Sequence, residues 1–229
     1  MGCGQPPLRV LRALCGECLT ALRQIGLFGG SFDPPHVGHV ALVRAALAGA
    51  EIEEVWVMPV GIPVHRELSG YVDAATRLAW LKEAFAGEPR VKVLDWEAVR
   101  NEPTPTIHTL GRIRSEYPEV MPVLLLGADA FAGMASWVEW PAHLKFCRVA
   151  AFARRGHALE VPHGWREVSR DEWPRSDEPG VVLRIEVELP EVSATEVRER
   201  AEASQSLAGL VPESVRDMIE SMYGERRNE

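Results

Sequence analysis

Ile25-Gly26-Leu27-Phe28-Gly29-Gly30-Ser31-Phe32-Asp33-Pro34-Pro35-His36-Val37-Gly38-His39 runs from a short apolar segment through a glycine pair into a helical pattern that extends to about Leu47. Ile25 to Phe28 has the continuous apolar character of a buried strand. Gly29 and Gly30 let backbone N–H groups approach an anion, and the following helix offers unpaired N–H groups and a positive dipole end. His36 and His39 stand three apart, which on a helix aims both imidazoles at one ligand, and Gly38 removes a side chain between them. The chemistry suited to this arrangement is phosphate binding. Two blander readings stay open: the glycines simply turn the chain while the histidines cap or pack the helix, or the histidines bind zinc. For zinc, an i, i+4 pair with a glutamate would be the stronger pattern.

Outward from this point strands and helices alternate. Strands are expected at Val55–Met58, Val91–Leu94, Val123–Leu126, Arg148–Ala153 and Val181–Val187. Helices are expected at Ala74–Phe85, Thr106–Tyr117, Ala194–Ala203 and Val211–Met222, and a polar loop at Gly156–Gly180. This order predicts an α/β fold, a doubly wound, mainly parallel sheet with helices on both faces. Ligands of such sheets bind beyond the carboxyl ends of the strands. Residues 24–229 form the expected domain. Residues 1–23 read as an extension in which Leu8, Leu11, Cys15, Cys18, Leu19 and Leu22 have helical spacing, suited to docking or to a homo-oligomer contact.

The chain has 229 residues, the size of one substantial domain. Its 25 basic and 33 acidic side chains give a formal net charge of -8, which argues against broad electrostatic binding to nucleic acid or anionic membrane. An anionic ligand then needs a local cationic site. No apolar run approaches the ~20 residues of a membrane helix, and no clean secretory segment opens the chain, so the expected location is cytoplasmic. Four cysteines are too few for a disulfide framework, and the pair Cys15 and Cys18 lacks a second pair at zinc-site spacing.

The run Gly29-Gly30-Ser31-Phe32-Asp33-Pro34-x-His36-x-Gly38-His39 resembles the signature of the nucleotidylyltransferase superfamily. Further pieces in the same order resemble the bacterial nicotinate mononucleotide adenylyltransferases: His65-Arg66, Arg100-Asn101, Thr106, Gly127-Ala128-Asp129, Ser136-Trp137, Ala153-Arg154-Arg155 and Ser193-Ala194-Thr195-x-x-Arg198. The resemblance covers about Ile25 to Tyr223. It implies a Rossmann-like nucleotidylyltransferase fold. It also implies transfer of the adenylyl group of ATP to nicotinate mononucleotide, with Mg2+ carried by the ATP phosphates and no metal held by protein ligands. The product would be nicotinate adenine dinucleotide, in NAD biosynthesis.

By that resemblance His36, His39 and Arg198 are catalytic. ATP contacts fall on Gly29, Gly30, Ser31, Phe32, His36, His39, Gly127, Asp129, Arg154, Ser193, Thr195 and Arg198. Mononucleotide contacts fall on His65, Arg66, Thr106 and Trp137, and Asp33 fixes the loop or the histidine geometry. Plainer readings accompany several of these. Ser193 with Glu196 can be a capping box, Asp129 and Thr106 can be helix caps, and Trp137 can be core. Arg154, His65 and Arg66 can be solvated surface. Pro105 and Val138 stand where many relatives carry an aromatic residue. Two other activities fit the same residues: a nicotinamide or dual-substrate adenylyltransferase, and a nucleotide-binding module without turnover. A metal-dependent phosphohydrolase would require metal bound at His36 and His39.

Overall fold

The computed structural model describes residues 22–62, 72–100, 102–154, 156, 159–173 and 178–226. The expected helix at 8–22 therefore lies almost wholly outside the described residues, as do His65, Arg66, Asn101 and Arg155. Strand β1 (Arg23–Gly30) leads into α1 (Val37–Gly49), followed by β2 (Glu54–Pro59), α2 (Ala74–Ala84) and β3 (Val91–Val93). Next come α3 (Thr106–Glu116), β4 (Val120–Gly127), α4 (Ala128–Gly133), β5 (Arg148–Ala153), β6 (Arg166–Val168) and β7 (Val181–Glu186). Helices α5 (Ala194–Glu202) and α6 (Glu213–Arg226) close the chain. The seven strands form one sheet in the order β3-β2-β1-β4-β5-β7-β6, and every pairing is parallel.

Strand alternation divides the core in two. Phe28, Val55, Val57, Val123, Leu125, Ala150, Phe152, Val181 and Leu183 face α1 and α2. Ile25, Leu27, Trp56, Met58, Leu124, Leu126, Val149, Ala151 and Val182 face α3 and α4. Period-2 side-chain alternation in strands whose every residue is apolar requires cover on both faces, and the helices supply it. A third cluster packs Trp80 of α2 against Val197 and Ala201 of α5 and Val215, Ile219 and Tyr223 of α6.

Beyond shifts of element ends, as at β1 and at the last helix, which closes at Arg226 rather than Met222, two strands depart from expectation. Strand β4 begins at Val120 rather than Val123, passing through Pro122, a residue that usually stops an interior strand. Pairing with β5 begins only at Val123↔Arg148, so Pro122 lies where β4 is flanked by β1 alone. Strand β6 lies inside the segment read as loop. At three residues it is too short to show periodicity, and it pairs with β7 at the sheet edge.

The segment after β6 is pinned by a buried cation. Arg148 of β5 lies over the Trp173 ring at 3.6 Å and donates from Nη2 to the Trp173 carbonyl at 2.5 Å. Trp173 in turn donates from Nε1 to the carbonyl of Ala50, which caps α1, at 2.7 Å. Arg148→Met keeps the apolar stem but leaves a buried carbonyl without this donor and removes the stacked cation. The expected loss is about 2–4 kcal/mol, measured as a lower urea midpoint with unchanged slope. A shift below about 0.5 kcal/mol would contradict the pin.

Candidate active site

In this strand order β1 is flanked by β2 and β4, and the chain leaves it in opposite directions on the two sides. That makes the carboxyl end of β1 the crevice where an open parallel sheet binds ligands. Gly29 and Gly30 end β1 there, Gly127 ends β4, and α1 starts at the same level.

His36 is the N-cap of α1 rather than a helical residue, with extended backbone at φ -135 and ψ 170. Its ring stacks on that of His39, with centroids 3.6 Å apart and planes at 26°. The expected convergence is achieved by stacking rather than by two side chains projecting side by side. The His36 N–H donates to His39 Nδ1 at 3.1 Å. Neutral His39 must therefore carry its proton on Nε2, which becomes a hydrogen-bond donor. Gly38 makes the stack possible: a Cβ there would lie 3.0 Å from His36 Nδ1 and 3.3 Å from Val192 of the α5 approach. Burial pushes the His36 pKa down to about 4. His39 is held well below the usual range, first by burial and then by His36. Both rings are neutral at pH 7 when no ligand is present.

The expected unpaired helix-start N–H groups are fewer than anticipated. Val37 donates to the Leu210 carbonyl at 2.9 Å, and His39 and Val40 donate back to the His36 carbonyl at 3.0 and 3.5 Å. The α1 start thus offers an anion mainly its dipole, the Gly38 N–H and the imidazoles.

Arg198, from α5, reaches the same loop. Its Nη1 donates to the Asp33 carbonyl at 2.6 Å and its Nη2 to Thr195 Oγ1 at 3.1 Å. Ser193 caps α5 through Oγ, which accepts the Glu196 N–H at 3.1 Å. The reciprocal half of the capping box is replaced: the Glu196 carboxylate pairs with Arg200 at 3.2 Å. Arg154, just past β5, pairs with Glu191 ahead of Ser193. Gly127, not Asp129, holds the cap position of α4, and Asp129 lies exposed in its first turn.

Phe32 turns the loop with φ 50, and its ring is buried edge-on against Phe28 and His39. The Asp33 carboxylate does not touch the histidines. It is 2% exposed and accepts from Tyr223 Oη at 3.0 Å and from the Val72 N–H at 3.3 and 3.4 Å. Burial raises its pKa, and those hydrogen bonds together with Arg198 and Arg77 partly offset the rise. It therefore fixes the loop, one of the two roles expected for it.

Two supporting residues escaped the sequence reading. Arg77 of α2, 1% exposed, donates to the carbonyls of Ser31 at 2.5 Å, Val72 at 2.9 Å, and Val60 and Gly61 at 2.8 and 3.2 Å. Tyr223 reaches Asp33 across 190 residues of sequence. An arginine or tyrosine inside an amphipathic helix carries no local sign of such reach.

Beside the glycines lies a cavity of about 250 Å³. Gly29, Gly30 and Ser31 line it together with Leu124 and Leu126 of β4 and with Pro105, Thr106, Trp137 and Val138. Pro105 occupies the α3 cap position and Thr106 the first helical residue, so Thr106 does not act as a side-chain cap. Trp137 is part-buried, lines the cavity and meets the buried His143 ring edge to face at 5.9 Å. The structure thus gathers His36, His39, Thr195 and Arg198 around one loop and Thr106 and Trp137 around the adjoining cavity. No helix among the described residues is long and apolar enough to cross a membrane.

The cytidylyltransferase-like family model matches residues 27–200. The nicotinate-nucleotide adenylyltransferase of Bacillus subtilis is 29% identical over 87% of this chain and 96% of its own length. Proteins of Exiguobacterium sibiricum and Pseudomonas aeruginosa bear the same name with the qualifier "probable". They are 32% and 35% identical over 86% and 88% of this chain, and 96% of each is covered. Among solved structures, Plasmodium falciparum nicotinic acid mononucleotide adenylyltransferase complexed with NaAD superposes with a TM-score of 0.67 at 18% identity, over 88% of this chain and 98% of that one. The same enzyme complexed with APC gives 0.63 at 17% identity, over 90% and 96%. The chain belongs to the cytidylyltransferase-like family of nucleotidylyltransferases, in the group of bacterial nicotinate-nucleotide adenylyltransferases.

Proposed function

We propose that this protein transfers the adenylyl group of ATP to nicotinate mononucleotide, giving nicotinate adenine dinucleotide and pyrophosphate. The observation that carries the reading is the stacked His36–His39 pair at the head of α1, bound to the loop that Arg198 grips from α5. An oxygen of the mononucleotide 5′-phosphate attacks the α-phosphorus, a P–O bond forms, and the bond from the α-phosphorus to the bridging oxygen of the β-phosphate breaks. The attacking monoester is largely ionised at pH 7, its second pKa being about 6, so no protein base is needed. No covalent intermediate on the protein is needed either.

The work left for the protein is alignment and neutralisation of charge. His39 Nε2–H and the His36 ring face the α-phosphate, Arg198 and Thr195 the leaving pyrophosphate, and the backbone of Gly29 to Phe32 the nucleotide between them. Gly127 and Asp129 flank adenosine, Ser193 and Arg154 border the phosphates, Thr106 and Trp137 hold the pyridine, and His65 and Arg66 contact the mononucleotide. The Asp33 carboxylate is engaged by Tyr223 and Val72, and no cluster of three metal-binding side chains occurs among the described residues. This donor set suits Mg2+ that arrives on the phosphates with its own waters, where it would screen the charge of the leaving pyrophosphate.

The deciding assay follows pyrophosphate release from ATP with the mononucleotide. Tight ATP binding without release would instead identify a nucleotide-binding module. His39→Ala is expected to lower kcat by about 10²–10³-fold, the usual loss for one preorganised donor, with KM for the mononucleotide changed far less. An equal loss of affinity with kcat intact would contradict the role.

The depressed histidine pKa values also predict acid sensitivity. The unfolded chain takes up protons at these sites as pH falls through ~6.5, while the folded chain resists until about 4 at His36. Stability contributed by the neutral rings is thus complete above ~6.5 and lost as pH drops through that window, by up to about 3 kcal/mol for His36. Denaturation midpoints at pH 7.5 and pH 5 should differ less in His36→Asn than in the unaltered protein.

A further inference from the structure

The end of the chain holds the loop between β1 and α1 on both sides of His36. Tyr223 of α6 is fully buried, and its Oη donates to Asp33 Oδ1 at 3.0 Å. Past His36, the Val37 N–H donates to the carbonyl of Leu210 at 2.9 Å, in the turn that enters α6. That turn is fastened to α6 in its own right, since the Leu207 N–H donates to Glu220 Oε1 at 3.3 Å. His36 lies between the two fixed points, so α6 and its entry turn bracket the residue that stacks on His39. The Tyr223 ring makes a different contact: it packs against Trp80 of α2 at 6.3 Å between centroids, in the cluster that holds Val197, Val215 and Ile219. The ring thus closes an apolar core, while the hydroxyl reaches the Asp33 carboxylate. From the elements packed around it that carboxylate faces Tyr223 of α6, the Val72 N–H ahead of α2, and the cations Arg198 of α5 and Arg77 of α2. Its own segment continues into neutral His36 and His39.

Resting on the adenylyl-transfer reading, we propose that Tyr223 is a positioning residue for that reaction: through the Asp33 carboxylate, its hydroxyl holds the loop in the course that sets His36 against His39. The neighbouring turn needs such a tether. Phe32 sits at φ 50, a conformation that a bulky side chain keeps only where its surroundings impose it. An ionised Asp33 accepts with both oxygens, from Tyr223 and from the Val72 N–H. A protonated one carries a hydrogen on one oxygen and accepts less well. Burial favours the protonated form, and Tyr223 comes first among the groups that oppose it. Removing the hydroxyl therefore has two consequences. The loop loses one tether at every pH, and the carboxylate takes up its proton at a higher pH, which weakens the bond from Val72 as well. The resulting loss of activity is greatest in acid and shrinks as pH rises. Loosening the packing of α6 does not by itself produce that dependence, because no group on the loop then changes its charge.

The test measures pyrophosphate release from ATP with nicotinate mononucleotide, between about pH 5.5 and 8.5, in the full chain, in Tyr223→Phe and in Ile219→Val, with the folded fraction followed by circular dichroism at each pH. Tyr223→Phe keeps the ring and removes the hydroxyl, whereas Ile219→Val thins the same helix packing and leaves the hydroxyl in place. Substrate phosphates titrate alike in all three proteins and cancel in the ratio of variant to unaltered activity. Tyr223→Phe should lower kcat at pH 8 by about tenfold, less than the hundredfold that a 1 Å misplacement can cost, with both KM values changed far less. Its deficit should widen by about a further tenfold toward pH 5.5, the effect of raising one carboxyl pKa by about a unit. Ile219→Val should give a flat ratio. A Tyr223→Phe ratio that does not vary with pH, or a slope that Ile219→Val reproduces, overturns the proposal. If Tyr223→Phe does not fold, Asp33→Asn decides: it stands for the protonated carboxyl at every pH and should lower kcat at pH 8 by about tenfold, so an undiminished kcat there is equally fatal. No pyrophosphate release from the unaltered chain would remove the adenylyl-transfer reading and this inference with it. Release by the unaltered chain with a flat Tyr223→Phe ratio removes the inference alone.

Discussion

Asp33 is the joint on which the loop between β1 and α1 hangs. Its carboxylate is buried against Tyr223 and the Val72 N–H, and its carbonyl accepts from Arg198. Two residues back, the Ser31 carbonyl accepts from Arg77. A loop between a strand and a helix ordinarily runs over the surface with water satisfying its polar groups. Here α2, α5 and α6 each send a side chain to it, so its carbonyls are bonded by the protein and its course is fixed. Burying a carboxylate is unfavourable unless hydrogen bonds replace its water, and the upward shift of the Asp33 pKa shows that burial outweighs the bonds it receives. The closing helix α6 is therefore part of the site's support, although no residue of it lines the cavity.

The electrostatics of the imidazole pair follow from its burial. Protonating His36 at pH 7 against a pKa of about 4 takes about 4 kcal/mol. An anion set beside the ring would offset that cost through its charge. The unliganded pair is thus a neutral donor set. Because the rings stack at 3.6 Å, both do not charge easily together. At most one charged ring is the state this geometry favours.

The parts legible in the sequence were those written locally. Continuous apolar runs gave the order of β1, β2, β5 and β7 and both limits of β5, while β1 runs two residues further at each end, into Gly29 and Gly30; the glycine-histidine run pointed to the carboxyl end of β1 before any topology was known. Pro122 hid the start of β4, because a proline speaks against a strand until its neighbour's register is known. Strand β6 was hidden by its length. Arg77 and Tyr223 were silent for a different reason: their partners in the loop, Ser31 and Asp33, lie 46 and 190 residues away, and each neighbourhood reads as ordinary helix. The capping reading held at Ser193 and failed at Thr106 and Asp129, which follow the true cap positions by one and two residues, a distance that composition does not resolve.

Gly29, Gly30 and Ser31 line the cavity and lead into the loop that ends at the imidazole pair. In the adenylyl-transfer reading the two reacting phosphates meet along this stretch. In-line attack tolerates little error, and a misplacement of about 1 Å can slow such a step by about a hundredfold. A glycine pair lets ligands come close to the backbone, but glycine is also the residue least able to hold a backbone still. The two requirements conflict locally and are reconciled from a distance: Arg77 and Arg198 clamp the carbonyls just beyond the glycines, and Asp33 anchors the turn to α6. Proximity comes from what the loop lacks, and rigidity from the helices packed behind it.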